Sequence, residues 1–205
     1  MTRLTHIPGP GGLRVRAMTL DDCDAVAEVR VRGWQFAYAG LMPSAYLDAM
    51  NVARDAARRR ELFGRSPEYV AERDGAVVGW ACHGPPRDRD VPPGEAELYA
   101  LYAHPAHLST GVGRALLDTC TGAAGAAGHS VLRLWVVEGN ARARRFYERA
   151  GFTADGAREP YEVAGVPVPE VRYARRLPLT PLIPGAGGPV PPLPPSPGAG
   201  ACSPP

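Results

Sequence analysis

Two hydrophobic periods alternate along the middle of the chain. Alternation with period two marks strands. It is seen in "LRVRA" (13–17), in "AELYALYA" (96–103) and in the β-branched run "VLRLWVV" (131–137). "EYVAE" and "AVVGWACH" flank Arg73-Asp74-Gly75, which reads as a hairpin turn. "EVRYARRL" (170–177) reads as the last strand. Helical spacing fills the gaps. Thr19 with Asp22 resembles a capping box and opens a helix to about Arg32. "PSAYLDAM" and "NVARDAARRRELF" read as helical, the second capped by Asn51. "GVGRALLDTCTGAAGAA" places Leu116, Leu117 and Cys120 on one side of a helix. In "NARARRFYERAGF" (140–152), Ala143, Phe146 and Ala150 form an apolar stripe at i, i+3 and i+7, and Ala150-Gly151 ends the helix. That stripe leaves Asn140 and Tyr147 without a packing role. The order of elements predicts one mixed α/β domain over residues 13–177, with hairpins at the start and end of its sheet.

The flanks differ in composition. Residues 1–12 are rich in Gly and Pro and predict a flexible segment. Residues 178–205 carry no charged side chain and many prolines, which predicts a disordered tail. Pro189, Pro192 and Pro195 give it P-x-x-P spacing. The 205 residues are 45% apolar and 21% charged, ordinary for a globular domain. A net charge of +2 gives no field argument for nucleic acid or membrane partners. All the basic side chains are Arg, so no internal lysine exists to be acylated. Cys23, Cys82, Cys120 and Cys202 lie far apart, which reads as free thiols in a reducing cytoplasm. The first residues have no apolar core of a secretion signal. His104 and His107 lack a third ligand, so no metal site is expected.

The chemistry starts at "ELYALYAHPAHLSTGVGRALL" (97–117), where a strand feeds a glycine-containing loop and then a helix. Such a junction presents unpaired N–H groups and a positive helix end, which suits phosphate. A Walker loop would need a lysine, and there is none. A dinucleotide fingerprint would need a third glycine where Leu116 stands, although Glu138 sits where a ribose-binding acid would belong. A coenzyme A pyrophosphate loop is the third option.

The two segments "HLSTGVGRALL" and "NARARRFYERAGF" resemble the GNAT superfamily of acyl-CoA N-acyltransferases. That family carries a loop of the form Q/R-x-x-G-x-G/A and, one strand later, N-x-x-A-x-x-F-Y-x-x-x-G-F. The second pattern is matched at Asn140, Ala143, Phe146, Tyr147, Gly151 and Phe152. The resemblance covers the domain from Leu13 to Leu177. It implies a mostly antiparallel, twisted sheet flanked by helices, with acyl-CoA bound where two central strands splay apart. It implies an N-acetyltransferase using acetyl-CoA, with a primary amine of a small molecule or a protein as acceptor. A homodimer is left open. One departure stands out: Leu108 replaces the family's Gln or Arg at the first loop position. This puts a side-chain donor in doubt and keeps a non-catalytic acyl-CoA sensor as an alternative, with a nucleotide-dependent oxidoreductase behind it.

Site roles follow from the same resemblance. Tyr147 would protonate the departing thiolate, and Glu97, with Glu95 as substitute, would take the proton of the amine. Backbone N–H groups of Ser109, Thr110, Gly111, Val112 and Gly113, joined by Arg114, would hold the pyrophosphate. The hydroxyls of Ser109 and Thr110 would replace the donor missing at Leu108. Asn140 would bind the pantetheine arm. Leu101 would offer its N–H to the thioester carbonyl, with Ala103 nearer the pantetheine. Trp34 and Tyr38, in the aromatic stretch 33–43, would line the acceptor pocket. Residues 158–170 would form its rim, where Glu159 and Glu162 offer charge to a cationic amine.

Overall fold

The structure, a computed structural model, describes residues 12–178. The expected N-terminal segment and Pro-rich tail, with their P-x-x-P spacing and Cys202, fall almost wholly outside the described residues. Strands β1 (Arg14–Ala17), β2 (Glu68–Arg73), β3 (Ala76–Gly84), β4 (Ala96–Ala103), β5 (Val131–Val137), β6 (Thr153–Val163) and β7 (Val166–Arg176) form one sheet. Its order is β1-β2-β3-β4-β5-β7-β6. Every neighbouring pair is antiparallel except β4 and β5, which are parallel. A dinucleotide-binding sheet is mostly parallel, so the oxidoreductase reading is set aside. The helices are α1 (Cys23–Ala37), α2 (Ser44–Asp48), α3 (Val52–Leu62), α4 (Val112–Ala126) and α5 (Ala141–Arg149).

Local signals explain most boundaries. Asp74 and Gly75 both take left-handed φ, 52° and 80°, as a two-residue hairpin turn demands. The Asn51 side chain accepts the Arg54 N–H at 3.0 Å and caps α3. The Asp22 carboxylate accepts the Thr19 N–H at 2.8 Å ahead of α1. Two expectations need correction. First, α1 continues past Arg32 to Ala37, because Gly33 serves contact instead of termination. A Cβ there would lie 3.3 Å from the Tyr102 ring, so the glycine lets α1 rest close on β4. Second, the rim expected at 158–170 consists of the ends of β6 and β7 and the turn at Ala164 and Gly165. Pro160 and Pro169, which face each other across this outer pair, had masked the strands.

Helices cover both faces of the sheet. On one side α4 and α5 bury Leu116, Leu117, Leu134, Phe152 and Tyr173. On the other, α1 packs Cys23, Val26 and Val29 against Trp80 and Cys82. Cys23, Cys82 and Cys120 are buried and form no disulfide among the described residues. At Gly79 a Cβ would meet Val112 at 2.5 Å and Leu116 at 2.9 Å, so only glycine lets α4 lie this close to β3.

The parallel pair in the middle of the sheet is barely a pair. β4 and β5 register only at Ala96↔Leu132 and Glu97↔Arg133. The register of β4 with β3 passes from His83↔Leu98 to Cys82↔Ala100, which leaves Tyr99 as an extra residue. Such a bulge sharpens the twist and re-aims the strand. From there on β4 follows β3 and leaves β5, giving the splay expected from the resemblance.

Candidate active site

The splay opens a cleft of about 790 Å³. Residues 98–103 of β4 and Trp135 and Val136 of β5 form its floor. The end of α1, the loop before α4 and the start of α5 close its sides. His104 N–H bonds to Val78 O at 2.9 Å, on the β3 edge of β4. Strand N–H groups alternate between edges, so those of Ala103 and Leu101 are directed into the gap. Nothing on β5 pairs with this stretch.

At the cleft mouth the loop before α4 has its amides exposed. Leu108 N–H turns back to Pro105 O at 3.3 Å, and Ala115 N–H bonds to Gly111 O at 3.0 Å. Among the described residues the N–H groups from Ser109 to Arg114 have no carbonyl partner. Ser109 and Gly111 take left-handed φ of 61° and 92°, which curves the loop into an N–H nest. The positive end of α4 adds to it. A diphosphate fits this donor set.

The side chains of the loop behave differently from expectation. Thr110 turns its hydroxyl inward, donating to His107 O at 2.8 Å and accepting from Arg73 at 3.0 Å. It cannot also stand in for the donor missing at Leu108. Val112 is a core side chain, leaving only its amide for a ligand. Arg114 is shared with Asp118. A cation from α5 stands beside the loop: Arg142 donates to Ser109 Oγ at 3.2 Å, and its guanidinium lies 5.9 Å from the ring of Phe36. Phe36 is 53% exposed at the cleft wall. In the sequence Arg142 is one of four arginines between Asn140 and Phe152. Its place two residues after Asn140 was the available signal.

Tyr147 lines the cleft from α5 and is 9% exposed. Its ring packs between Phe146 at 5.1 Å and Phe152 at 5.8 Å. Burial pushes its phenol well above the ordinary range, and nearby Tyr102 and Cys120 add to this. The group therefore stays protonated at neutral pH, as a proton donor must. Asn140 also lines the cleft, but its side-chain oxygen accepts the Ala143 N–H at 3.0 Å and caps α5. It holds Tyr147 in place whatever else it does.

Other expected residues are placed elsewhere. Glu97 is 2% exposed and does not line the cleft. Its carboxylate accepts the Arg87 backbone N–H at 2.8 Å, Arg87 Nε at 3.0 Å and Arg87 Nη2 as well. That arrangement does not suit a free base. Glu95 is held by Arg133. Trp34 is buried behind the wall with Met42, Leu47 and Val168, not on it. Tyr38 does line the cleft, with its hydroxyl 3.4 Å from that of Tyr102. No group of His, Cys, Asp and Glu suited to a metal exists among the described residues, where His104 Nδ1 accepts the Ala106 N–H.

Residues 34–152 match the model of the acetyltransferase (GNAT) family. The chain belongs to the GNAT family. It is similar to the N-acetyltransferase YuaI of Bacillus subtilis (strain 168), at 32% identity over 77% of this chain and 89% of the relative. It is 29% identical, over 82% of this chain and 91% of the relative, to the L-methionine sulfoximine/L-methionine sulfone acetyltransferase of Salmonella typhimurium. Among solved structures it resembles yncA from Salmonella typhimurium, solved with its cofactor acetyl-CoA. That match has 25% identity and a TM-score of 0.62, and covers 86% of this chain and 99% of the other. The GNAT cleft thus lies in an acyltransferase of the N-acetyltransferase type. No helix among the described residues is long and apolar enough to cross a membrane.

Proposed function

We propose that this GNAT enzyme moves the acetyl group of acetyl-CoA directly to a primary amine of a small molecule. The observation that carries the reading is the row of unpartnered N–H groups from Ser109 to Arg114 at the mouth of the splay. This row would hold the pyrophosphate with Arg142 beside it. The pantetheine arm would run along the free edge of β4, near Asn140. Leu101 N–H would polarise the thioester carbonyl, and Tyr147 would give its proton to the leaving sulfur. The Salmonella relative that acts on L-methionine sulfone makes an amino-acid amine the first acceptor to try.

The test is thiol release from acetyl-CoA with L-methionine sulfone, a polyamine, an aminoglycoside and a peptide with a free N-terminal alanine. Turnover on one of the first three supports the reading. Turnover on the peptide alone would move the acceptor to proteins. Thermal stabilisation by acetyl-CoA with no turnover would make the chain an acyl-CoA sensor.

A further inference from the structure

The site described so far has a proton donor but no base, because three donors of Arg87 hold the Glu97 carboxylate. An amine acceptor arrives as an ammonium and must lose a proton before it can attack. A second carboxylate occupies the same face of the sheet. On β7, Glu170 registers with Val137 of β5 and with Glu159 of β6. Directly opposed residues share a face. That face carries Trp135, a cleft residue two positions before Val137. It also carries Val168, which packs with Trp34 and Val137. Glu170 therefore lies on the same face beside the end of β5, next to but not among the residues that line the cleft.

Its surroundings differ from those of Glu97. Glu170 is half-buried and, among the described residues, takes part in no ion pair. On its own strand Arg172 is occupied by Asp88, Asp90 and Asp155. On β5 Arg133 is occupied by Glu95 and Asp155. Arg87, from the loop between β3 and β4, is the cation it feels, and Glu97 holds that one. Glu97 on β4 and Glu159 on β6 are the anions it feels. Tyr38 at the end of α1, Tyr102 on β4 and Tyr161 on β6 all feel its charge in turn. Two of these tyrosines line the cleft. Burial pushes the Glu170 carboxyl up to about 7, with Arg87 opposing and Glu97 and Glu159 adding to the rise.

We propose that Glu170 is the general base of the acetyl transfer, receiving through a bridging water the proton of an aliphatic ammonium packed against Tyr38 and Tyr102. This rests on the N-acetyltransfer reading above. In the step, the ammonium N–H bond breaks and its proton passes through that water to the Glu170 carboxylate. The freed lone pair forms the N–C bond at the thioester carbonyl, and the C–S bond then breaks. The second proton leaves nitrogen as the amide forms and restores Tyr147, which has given its own proton to sulfur, so of the two protons lost by nitrogen one goes to Glu170 and the other is balanced by the one on the thiol. Glu170 returns its proton to solvent. A base with a carboxyl near 7 matches the working pH, whereas an ordinary carboxylate would be a weak acceptor.

The experiment compares wild type, Glu170→Gln and Glu97→Gln in thiol release with L-methionine sulfone, or with whichever panel amine wild type acetylates. Because the carboxylate form is active, wild-type kcat/KM should rise with pH through about 7. Glu170→Gln should lower it by about two to four orders of magnitude and remove that limb. Its acetyl-CoA affinity by calorimetry should match wild type, which shows the fold and donor site intact. Glu97→Gln should keep the limb. A Glu170→Gln variant that retains both rate and limb overturns the proposal, and so does loss of the limb in Glu97→Gln alone. No turnover by wild type on any amine would instead remove the reading on which the proposal stands.

Discussion

The two walls of the splay are built in opposite ways. The proposed donor side, from Ser109 to Arg114, would work through backbone: its chemistry lies in amides left over by a tight turn and a helix start. Side chains there serve the fold instead: Val112 packs in the core, Thr110 holds the loop, and Gly111 takes a φ of 92° that strains any other residue. The proposed acceptor side would work through side chains from distant parts of the chain. Tyr38 follows α1, and Tyr102, Glu159 and Glu170 come from β4, β6 and β7. A phosphate is the same for every acyl-CoA, so a generic cradle suffices for it. An acceptor must be told apart from other amines, which takes specific side chains.

The sharpest way to probe this contrast is at Tyr147, which stands between the two walls. Tyr147→Phe keeps the ring and its packing against Phe146 and Phe152. Its turnover should fall by about two to four orders of magnitude, with acetyl-CoA affinity and melting temperature near wild type. A fall in kcat without a rise in KM would mark a role in the transition state. An equal loss of thermal stability would show instead that Tyr147 serves the core.

Gly111→Asp attacks the donor side alone. It forces a Cβ into left-handed backbone and sets a carboxylate beside the cradle. Acetyl-CoA affinity by calorimetry should drop by about tenfold or more, a cost of roughly 1.4 kcal/mol or above. KM for the acceptor should hold. If both ligands weaken equally, the walls are not independent.

The smallest effect is expected at Arg142. This exposed guanidinium reaches Ser109 across the cleft mouth, where water and salt screen it. Arg142→Ala should weaken acetyl-CoA binding by about threefold to tenfold at low salt, and by less at high salt. An unchanged affinity at low salt would show that Leu108 leaves the loop on backbone donors alone.

The extent to which each wall could be read beforehand follows the same contrast. The turn at Asp74 and Gly75, the cap at Asn51, β4, β5 and the motif from Asn140 to Phe152 are local matters. Their residues are neighbours in sequence, so the chain itself determined them. The glycines of the donor loop and the place of Tyr147 belong to this group. Other features arise only when separate segments meet. The extension of α1 depends on Gly33 meeting Tyr102. β6 became a strand because β7 lies beside it, despite its proline. The Tyr99 bulge, which opens the splay, is visible only in the pairing of β4 with β3. Above all, the fate of the two carboxylates was decided by tertiary structure. Glu97 and Glu170 look alike in the sequence as residues at strand starts, yet Arg87 pairs with the first, and the second forms no ion pair among the described residues. The worth of a charge depends on its surroundings, and here those surroundings come from segments dozens of residues away.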